Sequence, residues 1–542
     1  MKKTKKLIAL AIVLVMCLSL FAACTPSTPA DPVAPTAPTG PGDTAPPPPP
    51  PDPPPADGNF ANAIDIIVDN NNIAVLDPFN PAANQASTNW VFTMIYDRLL
   101  NIAGEGQFDP GLATSWHTDD YQTFTLTLRD DVVFHNGDPL TAEDVRWTVE
   151  ASRDGIGSQA RDQWLPIETV NVLGTHEIQF VLGDVNVDFW FNLAMPMAGI
   201  LNQRAIAADP ENGSWIGTGA FSVERFVSGD YVVLSRNDNW WNTDRDVITE
   251  QVTMRFVPEV AARAIMLQNL ESQLSFGTGA EDTPPFQASP DFEVRPLIFN
   301  NPQGISFNMQ HPITGCWYFR MAVAHAMDRD EIAMVAAGEW AWGEYRSGTL
   351  WGYESEFRND TIPQIPFDLD LARYYLERSV YNGETIEIAT AIVTNIRASQ
   401  AFQAQMADIG INIEINDMDS ASLSAWMRYG NEDKQMSFFN SAMSMNAGSV
   451  RHIYYPGGGQ NRGSYNNPEI TQMLDEARSM TDVNQRRNQY MEIQRIIAED
   501  PPIINVFWRV NAVVSAAGVG GFTLPSDHHH IDLRGIFWDL DA

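Results

Sequence analysis

Residues 112–150, LATSWHTDDYQTFTLTLRDDVVFHNGDPLTAEDVRWTVE, decide how the rest of the chain is read. Phe124, Leu126 and Leu128 alternate with Thr123, Thr125 and Thr127, the period of a strand with one buried face. His135-Asn136-Gly137-Asp138-Pro139 then supplies turn chemistry, because Gly tolerates a positive φ and Pro presets its own. Thr141-Ala142-Glu143-Asp144 reads as a capping box, with a hydroxyl and a carboxylate three residues apart. Val145 and Val149 put apolar groups on one face of the helix that follows.

As a string, the stretch resembles the signature of the extracytoplasmic solute-binding proteins of peptide/nickel-type ABC importers. The matching residues are Leu112-Ala113, Trp116, Leu128-Arg129, Phe134-His135, Gly137 and Thr141 to Val145. Outside it, Tyr96-Asp97-Arg98, Gly217-Thr218-Gly219-Ala220-Phe221, Asn239-Trp240-Trp241 and Met327-Asp328-Arg329 fit the same family. The resemblance runs from about Ile64 to Phe522. It implies an α/β, two-lobed periplasmic-binding-protein-like fold (type II, with the extra subdomain of the large peptide-binding class) joined by a two-crossover hinge. The expected divisions are 1–23 signal peptide, 24–58 Pro-rich linker, 59–105 and 215–298 lobe I, 106–214 extra subdomain, 299–510 lobe II, and 511–542 return to lobe I.

Residues support the outline locally. Ala63 to Val68 reads as a strand, and Trp90 to Leu100 has helical spacing. Phe319 to Val335 reads as one helix. Asp368 can cap a helix bearing Leu369, Ala372, Leu376 and Val380. Phe402, Met406 and Ile409 form a helical stripe that Gly410 stops, before Ile411, Ile413 and Ile415 alternate as a strand. Asn467-Pro468 opens a helix, and Ile503 to Val514 returns as extended chain.

The amino terminus has four lysines before an apolar run, Leu7 to Leu20, then Phe21-Ala22-Ala23-Cys24. A basic n-region, a short h-region and small residues form an export signal. The cysteine after two alanines resembles a bacterial lipobox, which implies acylation and cleavage at Cys24. Residues 25–57 hold 15 prolines, six of them consecutive from Pro46 to Pro51. Polyproline II at ~3.1 Å per residue makes this an extended tether. Losing the signal takes the formal charge from −35 to −39, which argues against nucleic acid and polybasic membrane contacts. After acylation only Cys316 remains, so no intramolecular disulfide and no Cys-rich zinc site is expected, and that thiol is expected to be buried.

The resemblance points first to a lipid-anchored protein that captures an oligopeptide or peptide-like solute by cleft closure and delivers it to an ABC permease. It is expected to be extracytoplasmic and monomeric, without cofactor or metal, and not an enzyme. Binding of an oligosaccharide or other non-peptide solute is the alternative within the family; a secreted hydrolase is the alternative outside it. Family peptide binders place a Gly-Trp pair and then an amine-holding aspartate where this chain has Asn440, Ser441, Ala442, Met443, Ser444 and Met445. None of those three is kept, and Gln435 to Pro468 contains no acid while including Arg451, His452 and Arg462. A neutral or anionic ligand is therefore expected there. Further ligand contacts are expected from Pro81, Ala82, Ala83 and Asn84, in the loop after Leu76-Asp77-Pro78, and from Trp340, Trp342 and Trp351, whose ring faces can stack on sugars or pack on the core.

Overall fold

The first strand, β1 (Ala63–Val68), is paired in parallel on both sides within one 11-stranded sheet. The computed structural model describes residues 58–68, 75–80, 83, 86–104, 106–155, 161–279, 282–342, 355–427, 431–440, 446–524 and 531–542. The lipobox and the Pro-rich tether lie outside them. All the described residues belong to one compact unit.

Helix α1 (Ala86–Ile95) follows β1. It starts and stops earlier than the spacing of Trp90 to Leu100 predicts. Tyr96, Asp97 and Arg98 leave the helix to enter a buried polar network, and Leu100 opens a short strand. The signature region then forms a sheet of its own. Strands β2 (Ala113–His117), β3 (Thr123–Leu128), β4 (Ile167–Gly174) and β5 (Glu177–Leu182) lie in the order β2-β3-β5-β4. Phe124, Leu126 and Leu128 are buried, as their alternation predicts. Gly137 takes φ +85° in the turn, and α2 (Ala142–Asp154) starts at Thr141. The Asp144 carboxylate accepts from the Thr141 amide at 3.0 Å and from its hydroxyl at 2.8 Å, the returning half of a capping box. This small sheet shares one hydrophobic core with β1 and α1.

The chain returns to the large sheet through β6 (Phe221–Val227), β7 (Tyr231–Arg236), β8 (Gln251–Phe256) and β9 (Leu274–Thr278). Strands β6 and β7 form a hairpin directly after Gly217-Thr218-Gly219. Then comes the 16-residue β10 (Phe292–Phe307), which carries the chain out of this lobe. In the second lobe the single helix expected over 319–335 is two, α3 (Trp317–Ala326) and α4 (Arg329–Ala337). Asp328 breaks the run because its carboxylate caps α4 at the Glu331 amide. Helix α5 (Leu369–Leu376) is capped by Asp368 as predicted, but Val380 lies beyond its end and is exposed.

Strand β11 (Thr385–Thr390), helix α6 (Val393–Ala407), β12 (Asn412–Asp417) and β13 (Met436–Asn440) form the parallel part of the second lobe. Gly410 takes φ +84° between α6 and β12. Ile388, Phe402, Met406, Ile411 and Phe438 are fully buried in one cluster; each such burial contributes roughly 1.5–3 kcal/mol. Helices α7 (Pro468–Ser479) and α8 (Val483–Glu499) pack Ile470, Leu474, Tyr490, Ile493 and Ile497 into a neighbouring core. The 14-residue β14 (Ile503–Ala516) then runs back.

Ten strands of the large sheet run in the order β12-β11-β13-β10-β14-β9-β1-β8-β7-β6, and the two-residue strand Ala341–Trp342 pairs with β14 off this path. Strands β10 and β14 pair antiparallel from Phe292↔Ala516 to Ser306↔Ile503 and thread both lobes. Their register slips between Ile298 and Pro302 and again between Gln303 and Gly304. Proline there removes a ladder donor, so the ribbon is weakest where it passes between lobes.

Candidate ligand-binding cleft

The two crossover strands set the site. Across them the register runs Trp342, Trp508, Pro302 and then, one residue along, Gln303 to Asn440. Two segments about 100 residues apart in sequence are therefore held on either side of a two-strand ribbon, roughly 15 Å apart at ~4.8 Å per strand. Asn440 ends β13; its side chain, and Ser441, Ala442, Met443, Ser444 and Met445, lie outside the described residues. So do the Trp342 side chain, Trp351, Pro81, Ala82 and Asn84. Ala83 is fully buried just before α1.

Trp340 is 5 % exposed, packed with Ile67, Leu267, Phe286, Val510, Ala512 and Val514 at the base of the crossover. Its ring packs on the core there, and its Nε1 has no hydrogen-bond partner. Arg451 carries less free charge than its acid-free neighbourhood suggests. Asp475, from α7, pairs with it at 2.6 Å, and its guanidinium stacks on Tyr455 at 3.6 Å. Arg462 keeps its position in the same stretch, with burial pushing its pKa down to about 10. Cys316 is half-buried at the start of α3, more open than expected.

The family strings outside the cleft prove to be joints of lobe I. Asp97 Oδ2 accepts from Trp240 Nε1 at 3.1 Å, Trp241 Nε1 at 2.7 Å and Thr218 Oγ1 at 3.2 Å, while Arg534 lies 3.4 Å from Oδ1. Burial would raise the nearby Asp532 carboxyl, yet Arg534 and Arg245 outweigh it and hold it well below the usual range. His135 Nδ1 accepts from the Gly217 amide at 3.2 Å, and its Nε2 bonds to Gly219 O at 3.1 Å. Gly217 and Gly219 must be glycine: a Cβ would fall 1.9 Å from Ile95 O and 2.3 Å from Met94 O. Asp120 is a turn anchor as well as a solvated acid, accepting from the amides of Gln122 and Thr123.

A contact that no motif announces joins the lobes. Asp188, from the small-sheet side, pairs with Arg486 of α8, and the Val187 amide donates to Arg478 O at 3.1 Å. A lone aspartate in a Val-Asn-Val-Asp run gave no signal of it. Among the described residues, no group of three or more His, Cys, Asp or Glu is arranged to hold a metal ion.

This architecture is the two-lobed fold of periplasmic binding proteins. The ABC transporter-associated periplasmic binding protein DppA from Helicobacter pylori, solved with the peptide STSA, superposes with a TM-score of 0.76 at 20% identity, covering 89% of this chain and 98% of that one. By sequence, the nickel-binding periplasmic protein of Escherichia coli K12 is 24% identical over 65% of this chain and 71% of its own length. Di/tripeptide-binding protein 3 of Pseudomonas aeruginosa is 25% identical over 78% and 86%. Residues 107–463 match the middle region of the bacterial extracellular solute-binding proteins, family 5. The chain belongs to that family, whose members work outside the cytoplasm. No helix among the described residues is long and apolar enough to cross a membrane.

Proposed function

We infer that this chain is a lipid-anchored receptor that captures an oligopeptide or peptide-like solute between its lobes and presents it to an ABC permease without chemical change. The observation that carries this is the shared β10–β14 ribbon with its broken register at Ile298–Gly304, a hinge between two separately cored lobes. Ligand touching both lobes favours the closed arrangement by its differential affinity. The di/tripeptide-binding relative and the peptide-bound Helicobacter structure support a peptide as cargo. We assign the lobe divisions to 59–105 with 215–298 and 511–542, and to 299–510, with 106–214 as a subdomain on lobe I; the signal is 1–23 and the tether 24–58. Cys24 carries the lipid and the receptor works as a monomer. Ligand contacts are assigned to Pro81, Ala82, Asn84, Trp342, Trp351, Asn440–Met445 and Arg451, Trp340 and Ala83 being taken up by the core.

A second reading, a non-peptide solute, is favoured by the missing acid across residues 435–468. Native mass spectrometry of protein purified without unfolding tests both. A retained peptide mass supports the first; the mass of an oligosaccharide or other non-peptide solute supports the second. Turnover of bound peptide would refute a binding role without chemistry.

A further inference from the structure

Helix α6 leaves β11 through Ala391 and Ile392, and its start, like that of α3 at Cys316, has no side-chain cap. Helices α4, α5, α7 and α8 begin at Asp328, Asp368, Asn467 and Asp482, each accepting a backbone amide. Ile392 offers no acceptor, and no acid occupies the first turn of α6. Its backbone sits at φ +70°, a region β-branched residues avoid. Ile392 and Val393 are 42 % and 59 % exposed, so the helix end is open to solvent.

An independent feature points to a ligand. Thr390 is fully buried, and its hydroxyl has no hydrogen-bond partner. In β11 it shares the face of Ile386 and Ile388, which pack in one cluster with Ala398, Phe402 and Met406 of α6. Its hydroxyl therefore lies on the α6 side of the sheet, at the strand end from which the helix springs. One turn further in, Ser399 is also fully buried without a partner for its hydroxyl. The place is the carboxyl end of parallel strands, with β13 alongside β11, where open α/β sheets bind ligands. Beyond β13 follows the acid-free stretch, which brings no negative charge. Two acids are near: Asp417, register partner of Thr390 on β12, is exposed, and Asp419, next to the Met418 whose amide donates to Thr390 O at 2.9 Å, accepts from Ser422.

We propose that the amino terminus of α6, with the Thr390 hydroxyl, is the subsite that receives a carboxylate of the transported solute. Helix amides with the positive end of the helix dipole form a ready anion site. The inference rests on the binding role above and narrows the cargo to acids.

The test titrates the full mature protein with tetraalanine, its carboxy-terminal amide, glucuronate and glucose. The acid of at least one pair should bind about tenfold tighter than its neutral partner. Ile392→Asp, which supplies the helix with its own carboxylate and is a favourable cap, should erase that preference while keeping the circular dichroism spectrum. Thr390→Val should reduce the preference, and Asp417→Asn should increase it. Tetraalanine and its amide binding equally tightly, with glucuronate no tighter than glucose, would overturn the subsite and leave the peptide role standing. Preference for glucuronate alone, lost in Ile392→Asp, would uphold the subsite and refute the peptide cargo. No acid preference in either pair overturns the proposal.

Discussion

Asp188→Asn should open the jaw. The Asp188 and Arg486 side chains are 18 % and 11 % exposed, so the pair is largely withdrawn from water and weakly screened. Arg486 is further held over the rings of Phe357 and Tyr490, each 5.5 Å away, which fixes the guanidinium where Asp188 meets it. A hydrogen bond between charged groups contributes about 1.5–3 kcal/mol. Solvent at the rim argues for the lower figure, ~1.5 kcal/mol, which is about tenfold in the closed-to-open ratio. Because ligand is held by the closed state, apparent affinity falls by the same factor when that state is a minority in the free protein. The assay is calorimetric titration beside small-angle scattering of the free protein. Expected for Asp188→Asn is a tenfold weaker Kd where the free protein is mostly open, or a larger radius of gyration where it is mostly closed, with Asp188→Arg/Arg486→Asp recovering part of the change. Unchanged affinity together with an unchanged scattering curve would refute the reasoning and make the pair a surface ornament.

Asp97→Asn keeps the shape but removes one of the two carboxylates facing Arg534, Asp532 remaining, and presents an amide to several donors; a loss of roughly 1.5–3 kcal/mol in urea unfolding is expected, against less than ~0.5 kcal/mol for the exposed Asp119→Asn. Gly217→Ala drives a Cβ into Ile95 O, so soluble yield should collapse, whereas Gly459→Ala, with nothing within 4 Å, should express normally. Burial lowers the Lys434 pKa to about 8, below its unfolded value of 10.5. The unfolded chain thus binds more protons between those values, and wild-type stability should rise relative to Lys434→Met as pH climbs from 8 to 10.5; a parallel pH profile for the two would contradict it. Cys24→Ser should move the protein from the detergent phase to the aqueous phase of a Triton X-114 partition.

Much of this protein was legible in its residues because the information is local. Phe124, Leu126 and Leu128 alternate and are buried; Thr141 with Asp144, Asp368, Asn467 and Gly410 each mark a helix end through groups within a few positions. The helix over 319–335 was misread because Asp328 works equally as a helical residue or as a cap; only the neighbouring packing selects the break. Charge was misjudged for a similar reason. Arg451 stands in an acid-free stretch, yet its partner Asp475 arrives from another helix.

What the residues alone determined is the family and the sequence of elements, since periodicity, capping and motif strings act over short distances. Which strings touch was decided only by tertiary structure: His135 on Gly217 and Gly219, Asp97 under Trp240 and Trp241, Asp188 on Arg486. Those contacts join residues up to 298 positions apart, and nothing in a linear pattern encodes a distance that chain folding alone creates. The amide-rich end of α6 belongs to the same class, for a helix start is a site only once the structure shows what stands in front of it.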